Sequence, residues 1–128
     1  MDNLYFRKLN VYVNSKELTK YVYALIKQFP QEEKFALCSQ IRRAVTSIPI
    51  NIAEGFGRFS QKEKARFVEI AFGSLTELFC EMEISYELGY LTKEHYEKTE
   101  RQMTLISKQL SNLHKSITNN FTKETQLS

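Results

Sequence analysis

The sequence has few of the residues that small proteins use to form disulfide cross-links or to bind cofactors. Its 128 residues include only two cysteines, two histidines, two prolines and four glycines. Two cysteines cannot form a disulfide framework, and we expect Cys38 and Cys80 to be reduced, mostly buried thiols. Neither His95 nor His114 follows a glutamate by three residues, which excludes the di-iron centre found in helical bundles. The close ligand pairs of a zinc site are also missing, so we expect no metal and no cofactor.

Long apolar runs and a signal region are absent as well. No apolar stretch approaches the roughly 20 residues that cross a bilayer, and the first residues form no hydrophobic signal region. We therefore expect a cytoplasmic protein without membrane contact. The Ser, Cys and His residues fall into no recognisable nucleophile arrangement, and Gly55–Arg58 lacks the Lys-Ser/Thr ending of a phosphate-binding loop. The sequence therefore predicts no enzymatic activity.

Apolar residues do recur, at helical spacing, in four stretches of the chain. This pattern predicts an all-α protein whose helices each bury one stripe of side chains. The predicted stripes are Leu18, Val22, Leu25, Ile26 and Phe29 in the first helix; Cys38, Ile41, Val45, Ile48 and Ile52 in the second; Phe67, Ile70, Ala71, Ser74, Leu75, Leu78 and Met82 in the third; and Tyr96, Thr99, Met103, Ile106, Leu110, Leu113 and Ile117 in the fourth.

The limits of the first two helices are predicted from a cap and a proline. Asn14 precedes Glu17 by three residues, which is the spacing of a capping box for the first helix. Pro30 ends that helix, because proline cannot continue it. The second helix is then predicted to run from about Gln31 to about Phe56.

The limits of the last two helices follow from similar signals. Ser60 and Glu63 form a capping box that starts the third helix, and Gly89 ends it. Connections this short favour an antiparallel up-down-up-down four-helix bundle. We expect one domain over residues 1–117 and a polar, disordered tail over residues 118–128, where the apolar period stops.

The segment from Ser47 to Arg58 departs from the pattern of a plain core helix, because it contains Pro49, Asn51 and Glu54. A proline inside a helix removes one backbone hydrogen bond and costs about 3 kcal/mol. One interpretation is that Pro49 bends the helix and that Asn51 or Glu54 satisfies the freed carbonyl groups. A second is a polar network at a subunit interface, and a third is a small-ligand pocket. The residues of that network or pocket are Arg42, Arg43, Asn51, Glu54 and Arg58.

Basic residues form two groups, and the net charge of +3 permits a nucleic-acid partner. Three of them recur every seven residues on the fourth helix, with Lys98 near the beginning of the same stripe; the second group lies around the turn into the third helix. A solvated helix face explains the stripe as well as nucleic-acid binding does. The candidate nucleic-acid-binding residues are Arg58, Lys62, Lys64, Arg66, Lys98, Arg101, Lys108 and Lys115.

Several segments of the sequence resemble those of a known family. They are Gln40–Ala44, the run Ser47–Arg58, Ile70–Leu78 and Leu88–Leu91. Together they resemble the bacterial four-helix-bundle family encoded in 23S rRNA intervening sequences, often labelled a ribosomal-protein family. More distantly, the chain is similar to the accessory variability determinant proteins of diversity-generating retroelements. The resemblance covers roughly residues 4 to 117 and implies that the first helix begins near Leu9.

The resemblance also carries expectations about assembly and partners. It implies a homo-oligomer, with relatives forming pentamers around a central channel. The retroelement accessory proteins use a basic surface to engage nucleic acid and a reverse transcriptase. Asn51, Glu54 and Gly55 match the motif shared with the family, and Arg42, Arg43 and Arg58 lie around it. The resemblance implies the positions of these residues and assigns no role to them.

Two functional hypotheses follow from these observations. The first is a non-enzymatic, oligomeric protein that binds structured RNA or an RNA–DNA intermediate through phosphate contacts. Because no aromatic residues alternate with the basic stripe, we expect little base stacking and weak sequence specificity. The second is a protein–protein scaffold or accessory subunit without direct nucleic-acid contact, whose partner is another protein such as a reverse transcriptase.

Overall fold

The computed structural model describes residues 4–127, with side chains as far as residue 120, and four α-helices make up most of that range. They are α1 (Asn10–Ile26), α2 (Leu37–Phe56), α3 (Gln61–Glu87) and α4 (Lys93–Leu127). Short 3-10 helices cover Tyr5–Lys8 and Gln31–Glu33. No β-strand occurs among the described residues. Within the same part of the chain, no helix has the length and apolar character needed to cross a membrane.

The four helices form the predicted antiparallel bundle. α1 packs against α2 and α4, and α3 packs against the same two helices from the other side. Across the α2–α3 interface the partners run in opposite directions: Gly55 approaches Phe67, whereas the earlier Ser47 contacts the later Ser74. The same reversal relates α1 to α2 and α3 to α4. The all-α, up-down-up-down prediction is confirmed.

The core forms where the apolar stripes of the four helices meet, and most predicted positions are buried. Two predictions for α3 are wrong. Ile70 is exposed and Val68 is buried in its place, while Cys80 is exposed and only Cys38 is a buried thiol. Val68 lies toward α4, where it lines a groove with Leu110. Sequence spacing places residues on one face of a helix but does not fix how neighbouring helices cover that face.

The N-terminal limits of the first two helices differ from the capping prediction. α1 begins at Asn10 with Leu9 as its N-cap, as the family resemblance implies. The capping box at Asn14 is not formed, because α1 begins four residues earlier and Asn14 lies inside it. The Asn14 side-chain amide instead donates a 3.1 Å hydrogen bond to Gln109 on α4. After Pro30 the chain makes one 3-10 turn and starts α2 at Leu37, six residues later than predicted.

The ends of α3 are formed by the residues that the sequence indicates. The Glu63 N–H donates to Ser60 Oγ at 3.1 Å, which satisfies one of the unpaired groups of the first turn. At the other end Gly89 has a φ of 84°. The N–H groups of Gly89 and Tyr90 donate to the carbonyl oxygens of Tyr86 and Ser85. This is a Schellman motif, which requires the left-handed conformation that glycine adopts without strain.

The fourth helix is longer than predicted. The apolar period ends at Ile117, but α4 continues to Leu127. The expectation of a disordered tail from Thr118 stays a prediction. Extending an existing helix adds one hydrogen bond for each residue fixed and needs no apolar stripe, which serves only for packing. The boundary of the domain at residue 117 stays a prediction.

Candidate nucleic-acid interface

Four basic residues surround the connection between α2 and α3, and we refer to Arg58, Lys62, Lys64 and Arg66 as the basic turn. The chain leaves α2 through hydrogen bonds from the N–H groups of Gly57 and Arg58 to the carbonyl oxygens of Glu54 and Gly55, each at 3.0 Å. It enters α3 at the Ser60 cap. The backbone of the turn is thus hydrogen-bonded at both ends.

Gly55 makes this turn possible because α2 and α3 approach closely there. A Cβ atom added to Gly55 would lie 3.0 Å from Phe67 Cβ and 3.3 Å from the carbonyl oxygen of Lys64. Both distances are shorter than an ordinary van der Waals contact, so the helices would have to separate. The motif glycine therefore sets the spacing of α2 and α3 at the basic turn.

The two arginines of the basic turn lie around one aromatic ring. The guanidinium carbon of Arg58 is 4.7 Å from the centroid of the Phe67 ring, and that of Arg66 is 5.7 Å from it. Such cation–π contacts orient a guanidinium without neutralising it. Each arginine also has a carboxylate 3.8 Å away, Glu54 for Arg58 and Glu63 for Arg66. These pairs are long and exposed, so they hold the arginines only weakly.

The lysines of the basic turn have no such neutralising contact. No described carboxylate forms an ion pair with Lys62 or Lys64. Lys62 is exposed, whereas Lys64 is partly buried. Lys64 lines a cleft of about 510 Å³ between the N-terminal 3-10 helix and the adjacent ends of α2, α3 and α4. The turn therefore presents two unpaired ammonium groups beside its two arginines.

A second basic surface lies on α4, and we refer to Arg101, Lys108 and Lys115 as the α4 stripe. All three side chains are exposed, and none forms an ion pair with a described carboxylate. They extend over about 21 Å of helix. Lys98, which the sequence places near the beginning of this stripe, is also exposed, and its Nζ lies 4.5 Å from the centroid of the Tyr21 ring on α1.

The fold brings one end of the α4 stripe to the same end of the bundle as the basic turn. α3 and α4 are antiparallel, and Glu69 near the start of α3 contacts His114 on α4 at 2.9 Å. Lys115, the neighbour of His114, therefore lies toward the basic turn, whereas Arg101 lies toward the opposite end. One end of the α4 stripe and the basic turn therefore lie toward the same end of the bundle, although they are separated in sequence.

The motif residues do not form one polar network within the chain. Arg42 donates to the carbonyl oxygen of Lys34 at 2.9 Å, Asn51 bonds to Ser47, and Glu54 has only its long contact to Arg58. Arg43 is exposed on α2. Within one subunit these residues thus belong to separate contacts.

The carbonyl group freed by Pro49 has a partner that the sequence analysis missed. Pro49 has no N–H to donate to Val45, and neither Asn51 nor Glu54 replaces that donor. Instead, the Thr19 hydroxyl on α1 lies 3.2 Å from the Val45 carbonyl oxygen and 2.8 Å from that of Ser15, and its proton is shared between them. The interpretation of Pro49 as a structural feature needs this correction, because the compensating group comes from another helix.

Asn51 takes part in a small polar cluster between α2 and α3. Its amide donates to the Ser47 carbonyl oxygen and to Ser47 Oγ, both at 2.8 Å. Ser47 Oγ is also 2.8 Å from Ser74 Oγ on α3. Hydrogen bonds between buried or half-buried neutral groups remove most of the cost of burial. Asn51 therefore links α2 to α3 through Ser47.

Glu81 is the polar residue whose position the sequence did not indicate. It is 5% exposed, and neither carboxylate oxygen has a hydrogen-bond donor among the described residues. Burial raises its pKa to about 7, and the nearby charge of Glu77 acts in the same direction. The charge of Arg43 opposes them. Because burial and the like charge of Glu77 both disfavour the ionised carboxylate, the site favours a neutral Glu81.

No group of three or more His, Cys, Asp or Glu side chains is placed to hold a metal ion in the described part of the chain. His114 is engaged with Glu69, and His95 contacts the edge of the Tyr21 ring. The exposed charged groups of the basic turn and the α4 stripe are guanidinium and ammonium groups.

Comparisons with known proteins support the fold and the family resemblance. Residues 7–112 match the family described as 23S rRNA-intervening sequence protein. A crystal structure from Bacteroides thetaiotaomicron, described as a protein with unknown function from the S23 ribosomal protein family, is also similar. It aligns with a TM-score of 0.76 and 30% identity, over 82% of this chain and 95% of that one. The comparison with curated proteins finds no similar sequence.

Proposed function

This chain belongs to the 23S rRNA-intervening sequence protein family, and we propose that it is a non-enzymatic, oligomeric protein that binds nucleic acid through a basic surface. The nucleic acid is a structured RNA or an RNA–DNA intermediate. The observation that carries the proposal is the α4 stripe, whose three exposed cations have no ion-pair partner among the described carboxylates.

An exposed cation without a carboxylate partner is available to a phosphate group. Successive members of the α4 stripe are about 10.5 Å apart along the helix, so one helix face can contact several phosphates of one strand. Each contact releases condensed counterions, which provides affinity at low salt without reading the sequence. The basic turn adds positive charge toward the same end of the bundle as Lys115.

The acidic residues of α3 support an orientation for the bound nucleic acid. Glu77, Glu83 and Glu87 lie in the half of α3 away from the basic turn. A phosphate backbone is attracted to the basic turn and repelled by this acidic half. We propose that nucleic acid contacts the basic turn and the neighbouring part of the α4 stripe first.

Self-association is the second part of the proposal, and the family resemblance implies a pentamer. Exposed apolar side chains on the outer faces of α3 and α4 support it. Phe72 on α3 is exposed and lines a groove of about 250 Å³ beside α4, away from the residues of the α4 stripe. Covering apolar surface of this kind against a second copy removes it from water.

A protein–protein scaffold or accessory subunit is the other candidate function. The same exposed apolar residues of α3 and α4 favour it, because they suit a protein partner such as a reverse transcriptase as well as a second copy. On this alternative the α4 stripe is a solvated helix face. The two candidate functions therefore predict different effects on nucleic-acid binding when the charge of the α4 stripe is reversed.

The test is fluorescence anisotropy with a labelled structured RNA and a matched duplex DNA, titrated from low to physiological salt. Light scattering on the same samples gives the oligomeric mass. The test variant combines Arg101→Glu, Lys108→Glu and Lys115→Glu. The matched control combines Lys20→Glu, Lys27→Glu and Lys34→Glu, which changes the net charge equally at exposed positions elsewhere.

We expect micromolar or tighter binding by the unmodified protein, with log affinity falling linearly as log salt rises. The test variant should lose most of this affinity and reduce the duplex salt slope by about 3, at about 0.9 for each lost phosphate contact. Its oligomeric mass should not change. Equal losses of affinity in the test and control variants would show a general effect of net charge. If the unmodified protein forms the oligomer but binds no nucleic acid, the scaffold function is favoured instead.

A further inference from the structure

Phe59 is the most exposed large apolar side chain among the described residues. At 101% of its reference area its ring packs against nothing in the described part of the chain. It stands between Arg58 and the Ser60 cap, in the connection from α2 to α3. A phenyl ring left in water costs free energy unless a partner covers it.

The backbone on both sides of Phe59 is held in place. The Arg58 N–H donates to the Gly55 carbonyl oxygen, and the Glu63 N–H donates to Ser60 Oγ. Gly55 brings the two helices together directly below the turn. The ring is therefore presented at the tip of a short, hydrogen-bonded connection, and a ligand that contacts it finds its backbone already ordered.

The charges around Phe59 indicate what kind of ligand fits. Arg58 precedes it, and the other cations of the basic turn follow within seven residues. Arg58 is held over Phe67, which leaves the Phe59 ring face uncovered by that guanidinium. An exposed ring among cations suits a ligand that combines a flat π surface with negative charge. Nucleotides whose bases are not already stacked in a duplex have both.

We propose that Phe59 stacks on an unpaired base of single-stranded or looped RNA while the basic turn binds the phosphates on either side. This inference rests on the proposed nucleic-acid binding and adds the class of substrate. It also revises the expectation of little base stacking, which considered only aromatic residues near the α4 stripe. A paired base cannot reach the ring without leaving its stack, so the contact distinguishes unpaired from paired RNA.

The experiment compares Phe59→Ala, Phe59→Tyr and Phe35→Ala in the full chain. Phe35 is the matched control, because it is 85% exposed in the connection at the opposite end of the bundle. The probes are a single-stranded RNA of about twelve nucleotides that contains 2-aminopurine, and a fully paired RNA duplex. Anisotropy gives the affinities, and 2-aminopurine emission reports stacking directly.

We expect Phe59→Ala to weaken single-strand binding about tenfold, to abolish the change in 2-aminopurine emission, and to leave duplex affinity within about twofold. Phe59→Tyr should retain stacking, and Phe35→Ala should behave as the unmodified protein. Because Phe59 is exposed, its variants should melt at the unmodified temperature, which separates lost binding from lost folding.

Three results would overturn the inference. If Phe59→Ala binds the single strand as before while the unmodified protein binds both probes, stacking is wrong and the proposed function stands. If the variant instead loses oligomeric mass with unchanged RNA affinity, the ring is a subunit contact. If the unmodified protein binds neither probe at low salt, the proposed function fails and the inference fails with it.

Discussion

The two halves of the α2–α3 interface bury polar side chains in opposite ways. From the middle of the interface to the basic turn, the part that we call the tight half, Asn51 donates to Ser47, and Ser47 bonds to Ser74. In the other half, which we call the acidic half, Glu81 is buried without a donor beside Glu77. Neutral groups can satisfy each other, whereas a lone carboxylate can reduce its cost of burial only by taking up a proton.

The two halves should contribute to stability with different dependence on pH. The tight half is held by hydrogen bonds between uncharged groups and by the close approach at Gly55, so its contribution should not depend on pH. The acidic half contains a group whose protonation changes near neutral pH. The same pair of helices should therefore respond to pH at one end only.

The largest expected effect is the pH dependence caused by Glu81. Its pKa is raised from 4.5 to about 7 in the folded chain, so the folded state binds a proton more tightly than the unfolded state. The resulting stability is present at low pH and is lost as pH rises through about 7. Between about pH 5 and about pH 8 the free energy of unfolding should fall by about 2 to 3 kcal/mol from this group.

Urea unfolding at both pH values, for the unmodified protein and Glu81→Gln, isolates this contribution. The glutamine side chain of the Glu81→Gln variant cannot titrate. The fall in the variant's free energy of unfolding between the two pH values should therefore be smaller than that of the unmodified protein by about 2 to 3 kcal/mol. Glu83→Gln is the matched control, because Glu83 is exposed on the same helix. Parallel pH profiles for the unmodified protein and Glu81→Gln would contradict the assignment.

The next effect tests the close packing of the tight half. Gly55→Ala places a Cβ atom 3.0 Å from Phe67 Cβ and should cost about 2 kcal/mol, although alanine favours a helix by about 1 kcal/mol. Gly73→Ala is the control on α3, because its added Cβ atom meets nothing within 4 Å. That variant should be stabilised by about 1 kcal/mol. Thermal unfolding measures both, and equal shifts of the two would show that spacing at Gly55 is not limiting.

The smallest effect tests the hydrogen bonds of the tight half. Asn51→Ala removes both bonds to Ser47 and should cost about 1 kcal/mol, by the same amount at about pH 5 and about pH 8. Asn112→Ala makes the same substitution at an exposed position of α4 and should cost nothing measurable. If the loss of stability caused by Asn51→Ala changes with pH, the two halves are energetically coupled and the distinction between them is wrong.

Local signals in the sequence were sufficient where one residue acts on its own helix. Ser60 caps α3 and Gly89 ends it, because a hydroxyl at the cap and a left-handed glycine act on backbone groups a few residues away. The stripe of α1 is buried as predicted. The capping box at Asn14 did not form because α1 already begins at Asn10, so that Asn14 lies inside the helix. A capping spacing therefore predicts a helix start only where no earlier residue begins the helix.

The sequence could also place the candidate site only in part. It identified the cations of the basic turn and the α4 stripe, because charge and spacing are visible in the printed chain. It gave no sign that Lys98 lies over the Tyr21 ring or that Phe59 is uncovered. Exposure of an apolar residue in a connection depends on whether another element covers it, which no local pattern encodes.

By itself, the sequence determined that this protein is a bundle of four helices, because apolar spacing along each helix requires a shared core. Only the tertiary structure decided which polar groups meet: Thr19 beneath the carbonyl group freed by Pro49, Ser47 with Ser74, and Glu81 with no donor. The reason is geometric. Successive residues turn by about 100° around a helix, so a small rotation against its neighbours changes which side chains are buried while the period stays the same.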